Sequence, residues 1–210
     1  MAANVVKVNR APVLTLWGAV VAERMGHDPD AALTLGKAVA GLNAQSKGRM
    51  LGIFGPPKAA EHGGPPKKVG LGEDFWVDVC GRGVPCKNTP DGVRAVIKDK
   101  PLDPTAVGRY LASKFGDHLP AVRAAMGELA DSMTPDELAD AAYGLYERFR
   151  PVIASGKRGW GQKGDLDLGL IRSLASGWPR VWPSRAPGSS PRASSPDRCR
   201  TQCRPGSRTR

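Results

Sequence analysis

Residues 28–54 read DPDAALTLGKAVAGLNAQSKGRMLGIF and have the features of one long helix. Asp28 can cap its first turn by accepting hydrogen bonds from free backbone N–H groups, and Pro29 loses nothing at the first helical position. Apolar residues then recur at a spacing of three to four, the pattern of an amphipathic helix. They are Ala32, Leu35, Val39 and Leu42.

Two glycines, Gly36 and Gly41, lie in the apolar half of this predicted helix, where each costs about 1 kcal/mol relative to alanine. A close approach by a neighbouring helix would offset that cost. The preceding segment, 12–25, has a similar apolar stripe and is joined to the long helix by a short connection. We therefore predict a helical hairpin. The stripe of the preceding segment consists of Leu14, Trp17, Val21 and Met25.

The last turns of the long helix are polar and basic, since they carry Asn43, Ser46, Lys47 and Arg49. Amide and cationic side chains of this kind bind phosphates and base edges, so we predict contact with DNA or RNA here. The alternative is that the cations complement the dipole at the C-terminal end of the helix. The apolar first turns disfavour a major-groove recognition helix, which reads bases from its N-terminal residues.

A second basic segment, 154–165 (ASGKRGWGQKGD), combines four glycines with cations and an aromatic residue just before a short predicted helix at 166–175. A glycine-rich loop at a helix N-terminus can bind phosphate through N–H groups, and a tryptophan can stack on a base. A flexible hinge is the other interpretation, because the loop lacks the Gly-Lys-Ser/Thr ending of a phosphate-binding loop. The predicted contacts are Lys157, Arg158, Trp160 and Lys163.

The net charge of +11 is unevenly distributed along the 210 residues. Residues 176–210 contain eight arginines and one aspartate, a charge of +7, which leaves +4 for residues 1–175. This Arg/Ser/Pro-rich stretch cannot bury a core, so we predict a single domain over 1–175 and a disordered tail. The tail is either a genuine nucleic-acid-binding arm or the translation of an out-of-frame stretch of a GC-rich gene.

The rest of the composition fits a globular cytoplasmic protein. No apolar run reaches the length of a membrane helix, and the N-terminus lacks the apolar block of a secretory signal. We therefore expect no membrane partner. Cys80 and Cys86 are predicted to be free thiols that approach each other across a turn, and their spacing does not match a zinc site. No metal or cofactor is expected.

Between the two basic segments, the pattern changes from a Pro/Gly-rich loop at 55–72 to strands and then to helices. Alternating apolar residues at 75–80 and 93–98, with turn signals at 81–83 and 89–92, predict a small antiparallel meander. Three helices follow, and the third opens with Thr134-Pro135-Asp136-Glu137, a capping box. Their predicted inward residues are Val107, Tyr110, Leu111, Phe115, Val122, Met126, Leu129, Met133, Leu138, Ala142, Leu145 and Phe149, with Tyr143 and Tyr146 off the stripe.

The predicted fold is therefore α+β and predominantly α-helical: a helical hairpin, a small meander, three helices and a short closing helix. Three functions remain open. The first is nucleic-acid binding through phosphates. The second is a small enzyme or binding protein for a phosphorylated metabolite or nucleotide, with a carboxylate, a histidine or Cys80 in a pocket beside the glycine loop at Gly159–Gly164. The third is a protein-interaction module that exposes Trp76 or Trp160.

Overall fold

A computed structural model of the protein describes residues 5–50, 70–153 and 162–177, without the side chains of 47–50. These residues form six α-helices and six strands, and the predicted α+β, predominantly helical class is confirmed. The helices are α1 (Arg10–Arg24), α2 (Pro29–Met50), α3 (Pro104–Phe115), α4 (Leu119–Asp131), α5 (Pro135–Phe149) and α6 (Leu168–Gly177). The strands are β1 (Val5–Asn9), β2 (Asp74–Val79), β3 (Arg82–Thr89), β4 (Gly92–Ile97), β5 (Lys100–Pro101) and β6 (Lys163–Asp167).

Helix α1 lies at the centre of the fold, because every residue from Pro12 to Ala22 is buried. It contacts α2, α3, α4 and α5. A helix that is apolar around its whole circumference is a buried helix. The predicted one-sided stripe therefore understates its burial. Trp17 anchors it, since the indole Nε1 donates to the Ala142 carbonyl at 2.8 Å and the ring meets Phe149 edge-on at 5.3 Å.

The predicted hairpin of α1 and α2 is confirmed, as is the close approach at one of its glycines. A Cβ atom on Gly36 would lie 2.2 Å from the Thr15 carbonyl oxygen and 2.6 Å from the Ala19 nitrogen. Gly18 on α1 faces Gly36 in the same way. Asp28 caps α2 by accepting from the Ala31 N–H at 2.9 Å. The helix is described as far as Met50, and the predicted extension to 54 lies outside the described residues.

The predicted meander is confirmed as the antiparallel sheet β2-β3-β4-β5. Its first turn falls at Cys80 and Gly81, both with positive φ, whereas Gly83 belongs to β3. Cys80 and Cys86 are buried free thiols. The expected approach of these two cysteines is wrong. Cys80 directly follows the Val79–Arg82 pair at the turn, whereas Cys86 pairs with Phe75. The Phe75–Cys86 pair lies four residues along β2 from the Val79–Arg82 pair, a distance of roughly 13 Å.

The three helices that follow the sheet bury nearly all the residues predicted to face inward. Tyr110 is the exception, because it is only partly buried at the edge of the core. The position predicted for Tyr146 is also corrected. It was predicted to lie off the buried stripe, whereas its side chain is 1% exposed. The capping box at Thr134 and Glu137 is present. These helices form as predicted because their caps and apolar spacing specify the same boundaries.

An antiparallel ribbon of β1 and β6 joins the two ends of the described chain and was not predicted. The closing helix consequently begins at Leu168 rather than at 166, where Asp167 accepts from the Gly169 N–H at 2.8 Å. Gly164 belongs to this ribbon and not to a flexible loop, because a Cβ there would lie 2.7 Å from the Val152 carbonyl oxygen. Within the described residues, no helix is long and apolar enough to cross a membrane.

Candidate anion-binding site at the end of the helical hairpin

The polar residues near the end of α2 face the sheet and α5. Asn43 is 7% exposed and accepts a hydrogen bond from the Tyr143 hydroxyl at 3.0 Å. One turn later, Ser46 accepts from Arg82 Nη1 at 3.3 Å. Two of the predicted anion-binding residues therefore lie in one set of contacts that includes residues from β3 and α5.

We call this set the Arg82 cluster, and it consists of Asn43, Ser46, Arg82, Tyr143 and Glu147. The backbone of α2 continues past it through the positions of Lys47 and Arg49, whose side chains lie outside the description. The α2 side of the cluster was predicted from the sequence, and the other three residues were not.

Arg82 links the three elements of the cluster. It is the first residue of β3, directly after the tight turn at Cys80 and Gly81. Its guanidinium carbon lies 5.5 Å from the centre of the Tyr143 ring. Among the described residues, no carboxylate forms an ion pair with Arg82. Since a guanidinium carries five N–H donors, most of its donors remain available to an anion.

Tyr143 is a neutral hydrogen-bonding group at physiological pH. Burial, followed by the charge of Glu147 and a hydrogen bond to it, raises the pKa of the Tyr143 hydroxyl, and Arg82 opposes this shift. The hydroxyl has a single hydrogen and faces both Asn43 and Glu147. Donation to Asn43 Oδ1 leaves the enclosed Glu147 Oε1 without a hydrogen bond in the described part of the chain. Exchanging the Asn43 amide oxygen and nitrogen would let Tyr143 donate to Glu147 instead.

The described residues on either side of 154–161, in the second predicted basic segment, lie near the same end of the hairpin. The Tyr143 and Tyr146 rings lie 6.0 Å apart, and the Tyr146 hydroxyl donates to the Arg10 carbonyl at 3.4 Å. Arg10 Nε in turn donates to the Pro151 carbonyl at 3.1 Å. The residues that precede the segment are therefore connected by contacts to the Arg82 cluster.

On the far side of that segment, Lys163 is exposed and pairs in the ribbon with Asn9, the residue before α1. Lys157, Arg158 and Trp160 lie outside the described residues, so their predicted role stays a prediction. The residues that flank both predicted patches thus gather at the N-terminal end of α1.

Among the described residues, the two cysteines and His27 are not part of the Arg82 cluster. Burial raises the pKa of both Cys80 and Cys86 to about 12, so the reactive thiolate is scarce at neutral pH. Burial also lowers the pKa of His27, which lies in the turn at the opposite end of the hairpin. Among the described residues, no group of three potential ligands could hold a metal ion.

Arg82, Tyr143 and Glu147 were missed as site residues because their partners are distant in the sequence. Arg82 appeared as part of a turn signal, and its contact with Ser46 spans 36 residues. Tyr143 and Glu147 lie one helical turn apart on α5. This spacing of a tyrosine and a carboxylate was the sequence signal from which a site on α5 could have been predicted. Comparison with protein-family models, with curated proteins and with solved structures gives no match.

Proposed function

We propose that the protein binds DNA or RNA in the cytoplasm, mainly through phosphate groups, at the Arg82 cluster. The observation that carries this proposal is the position of Arg82, which contacts Ser46 and the Tyr143 ring and forms no ion pair with a described carboxylate. A guanidinium with free parallel N–H groups matches the geometry of a phosphate. Asn43 and Tyr143 would add neutral hydrogen bonds beside that charge.

The helix dipole bears on which groups could bind an anion at this end of α2. The C-terminal end of α2 carries partial negative charge on its carbonyl groups, which disfavours an anion on the helix axis. Phosphates would therefore be contacted by Arg82 from the side of the helix and, as the sequence predicts, by Lys47 and Arg49. This arrangement differs from an N-terminal phosphate site, where backbone N–H groups bind the anion.

The modest charge of residues 1–175, here called the body, sets the expected strength of binding. Residues 1–175 carry only +4 of the total +11, so a few local contacts rather than an overall field would attract the ligand. Each phosphate neutralised by a cation contributes about 0.7 to the salt slope for a single strand and about 0.9 for duplex DNA. Binding by the body should therefore fall with salt, with a slope that corresponds to a few contacts.

The test measures binding of fluorescent single-stranded RNA and duplex DNA across a salt series, with the full chain and with residues 1–177. Arg82→Gln should weaken binding by about threefold to tenfold and reduce the salt slope by roughly one contact. Arg109→Gln is the matched control, since Arg109 is exposed on α3 and no described contact links it to the cluster.

Equal effects of the two substitutions, or binding only when residues 178–210 are present, would contradict the proposal. Binding of inorganic pyrophosphate in place of either polymer would instead favour the phosphorylated-metabolite alternative.

A further inference from the structure

Strand β1 forms an open edge of the ribbon. Strand β6 pairs with β1 on one side and with Val152 on the other, whereas among the described residues β1 pairs only with β6. An open edge presents unpaired N–H and C=O groups, which are a template for pairing with another strand. This edge is exposed to solvent, since the Lys7 side chain is 77% exposed and Val5 is 48% exposed.

The pairing of β6 with Val152 determines which backbone groups of β1 point outward. Asp165 and Val152 exchange two backbone hydrogen bonds of 3.0 Å each, so the N–H and C=O groups of Asp165 point away from β1. Hydrogen-bonded and non-hydrogen-bonded pairs alternate along an antiparallel ladder. The Lys7–Asp165 and Val5–Asp167 pairs are therefore non-hydrogen-bonded. The N–H and C=O groups of Val5 and Lys7 consequently point to the open edge, and within the described residues no backbone group bonds to them there.

The side chains of β1 protect this edge only weakly. A charged residue, lysine above all, often keeps an edge strand from pairing with another chain. Lys7 is the single charged residue of β1, and its Nζ atom lies 2.9 Å from Asp165 Oδ1 on β6. The charge is thus offset by a carboxylate, and the side chain is directed over the ribbon rather than beyond its edge. Three of the other four residues are valines, which favour extended structure.

We propose that the open edge of β1 pairs antiparallel with β1 of a second copy of the chain. A two-fold axis at Val6 would place Val5 of each copy opposite Lys7 of the other. These are the residues whose backbone groups point outward, so each of the two pairs would exchange two hydrogen bonds. The ribbons of the two copies would join into one four-stranded sheet with the order β6-β1-β1-β6. Such an arrangement uses the same surface on both copies, as two-fold dimers do.

A second copy fits this edge because the register at Val6 keeps like charges apart. A register centred on Lys7 would place two lysines directly opposite each other, which is destabilising. The register centred on Val6 places a valine opposite each lysine and retains the Lys7–Asp165 ion pair in both copies. The body carries only +4, so general repulsion between copies is modest. Because salt screens this repulsion, the association should not weaken as salt is added, in contrast to nucleic-acid binding.

Amide hydrogen exchange of the full-length chain, measured by NMR at increasing protein concentration, tests the edge directly. Two short strands form a small interface, so we expect a weak dimer that dissociates on dilution. The Lys7 amide should exchange severalfold more slowly at high concentration, because it would be hydrogen-bonded only in the dimer. The Val8 amide is the internal control, since it bonds to β6 within each copy and should change much less. Analytical ultracentrifugation over the same range measures the dissociation constant.

Two variants at one position separate the backbone from the side chain. Lys7→Pro removes the outward N–H group and no bond to β6, and proline is tolerated where the N–H of an edge strand faces solvent. Lys7→Ala is the matched control, because it removes the side chain and keeps the N–H group. Lys7→Pro should weaken dimerisation by about tenfold, since one donor is lost per copy, and Lys7→Ala should change it by less than about threefold. Circular dichroism checks that both variants are folded, and the exchange measurement on the wild type needs neither.

Three results would overturn the proposal. They are the absence of self-association at millimolar concentration, a Lys7 amide whose exchange does not depend on concentration, and equal effects of Lys7→Pro and Lys7→Ala on a dimer. Arg82→Gln should dimerise as the wild type does, because Arg82 lies outside the ribbon. The dimer therefore stands or fails independently of nucleic-acid binding at the Arg82 cluster.

Discussion

Gly18 and Gly36 set the distance between α1 and α2. Each glycine faces the backbone of the other helix so closely that a Cβ on Gly36 would overlap Thr15 and Ala19. The atoms it would meet belong to the backbone and cannot rotate away. Because α1 is buried on every side, the two helices also cannot separate without disturbing α3, α4 and α5.

Gly36→Ala should therefore destabilise the protein although alanine is the better helix former. We expect a loss of about 2 kcal/mol in the free energy of unfolding, since overpacking costs about 1–3 kcal/mol. Gly41→Ala in the same helix is the control, because among the described residues its Cβ would meet only Ile97 Cδ1, at 3.9 Å. It should gain up to about 1 kcal/mol. Urea unfolding of both variants measures the difference, and a stabilising Gly36→Ala would refute the close approach.

Because of the two buried thiols, the free energy of unfolding should decrease at alkaline pH. Burial raises the pKa of each thiol from its ordinary value of 9.0 to about 12 in the folded state. The folded state then holds protons that the unfolded state has lost, so the thiol contribution is fully present below pH 9 and is lost as pH rises toward 12. The limit is about 1.4 kcal/mol per pH unit for each thiol. Urea unfolding between pH 8 and 10.5 should show a steeper decline for wild type than for Cys80→Ala/Cys86→Ala, and equal slopes would contradict it.

Among the helices and strands, α5 is the one whose boundaries are most completely set by residues close to it in the sequence. Thr134 accepts from the Glu137 N–H, and Glu137 accepts from the Thr134 N–H at 2.9 Å. Pro135 occupies the first helical position, and the buried stripe follows at helical spacing. Its boundaries could be predicted because every signal lies within a few residues.

Thr134→Ala removes this cap and should cost about 1 kcal/mol, the usual effect of losing an N-cap hydroxyl. Thr105→Ala is the comparison, since Thr105 is exposed in the first turn of α3 and Asp103 provides the cap there. That substitution should change stability by less than about 0.5 kcal/mol. Thermal unfolding followed by circular dichroism measures both, and equal losses would argue against a specific capping effect.

The ribbon strands show where sequence patterns fail at this scale. Strand β6 reads KGDLD, and its buried positions are Gly164 and Leu166. Buried and exposed positions alternate along this strand, as they should. One of the buried positions is a glycine, which a search for apolar residues does not count, so the sequence of the segment resembled a loop. Its partner β1 lies more than 150 residues away, as the Lys7–Asp165 pair shows. Only two of the five residues of the Arg82 cluster were predicted for the same reason, since Tyr143 contacts Asn43 across 100 residues.

At the scale of the whole molecule, the chain divides into two units, Met1–Arg180 and Val181–Arg210. All core residues of the described chain precede Ala175, and α6 continues to Gly177, two residues past the predicted domain end. The predicted boundary at 175 and the interpretation of the tail both stay predictions.

A chain that ends at Gly177 should keep the urea midpoint and the denaturant slope of the full chain. The slope scales with the surface exposed on unfolding, and residues without a core contribute little to it. Urea unfolding of both chains, followed by tryptophan fluorescence and circular dichroism, makes the comparison. A midpoint that drops by more than about 0.5 M would mean that residues 178–210 stabilise the folded body.

The pairing of β1 with β6 also affects how the protein can be made. At about 5–20 residues per second, on the order of ten seconds separate the synthesis of these two strands. During that time α1, apolar on every side, has left the ribosome before the helices that will cover it. Folding through such distant contacts is slow. We therefore expect the nascent chain to expose apolar surface of α1, and to be prone to aggregation, until α2 to α5 have been synthesised.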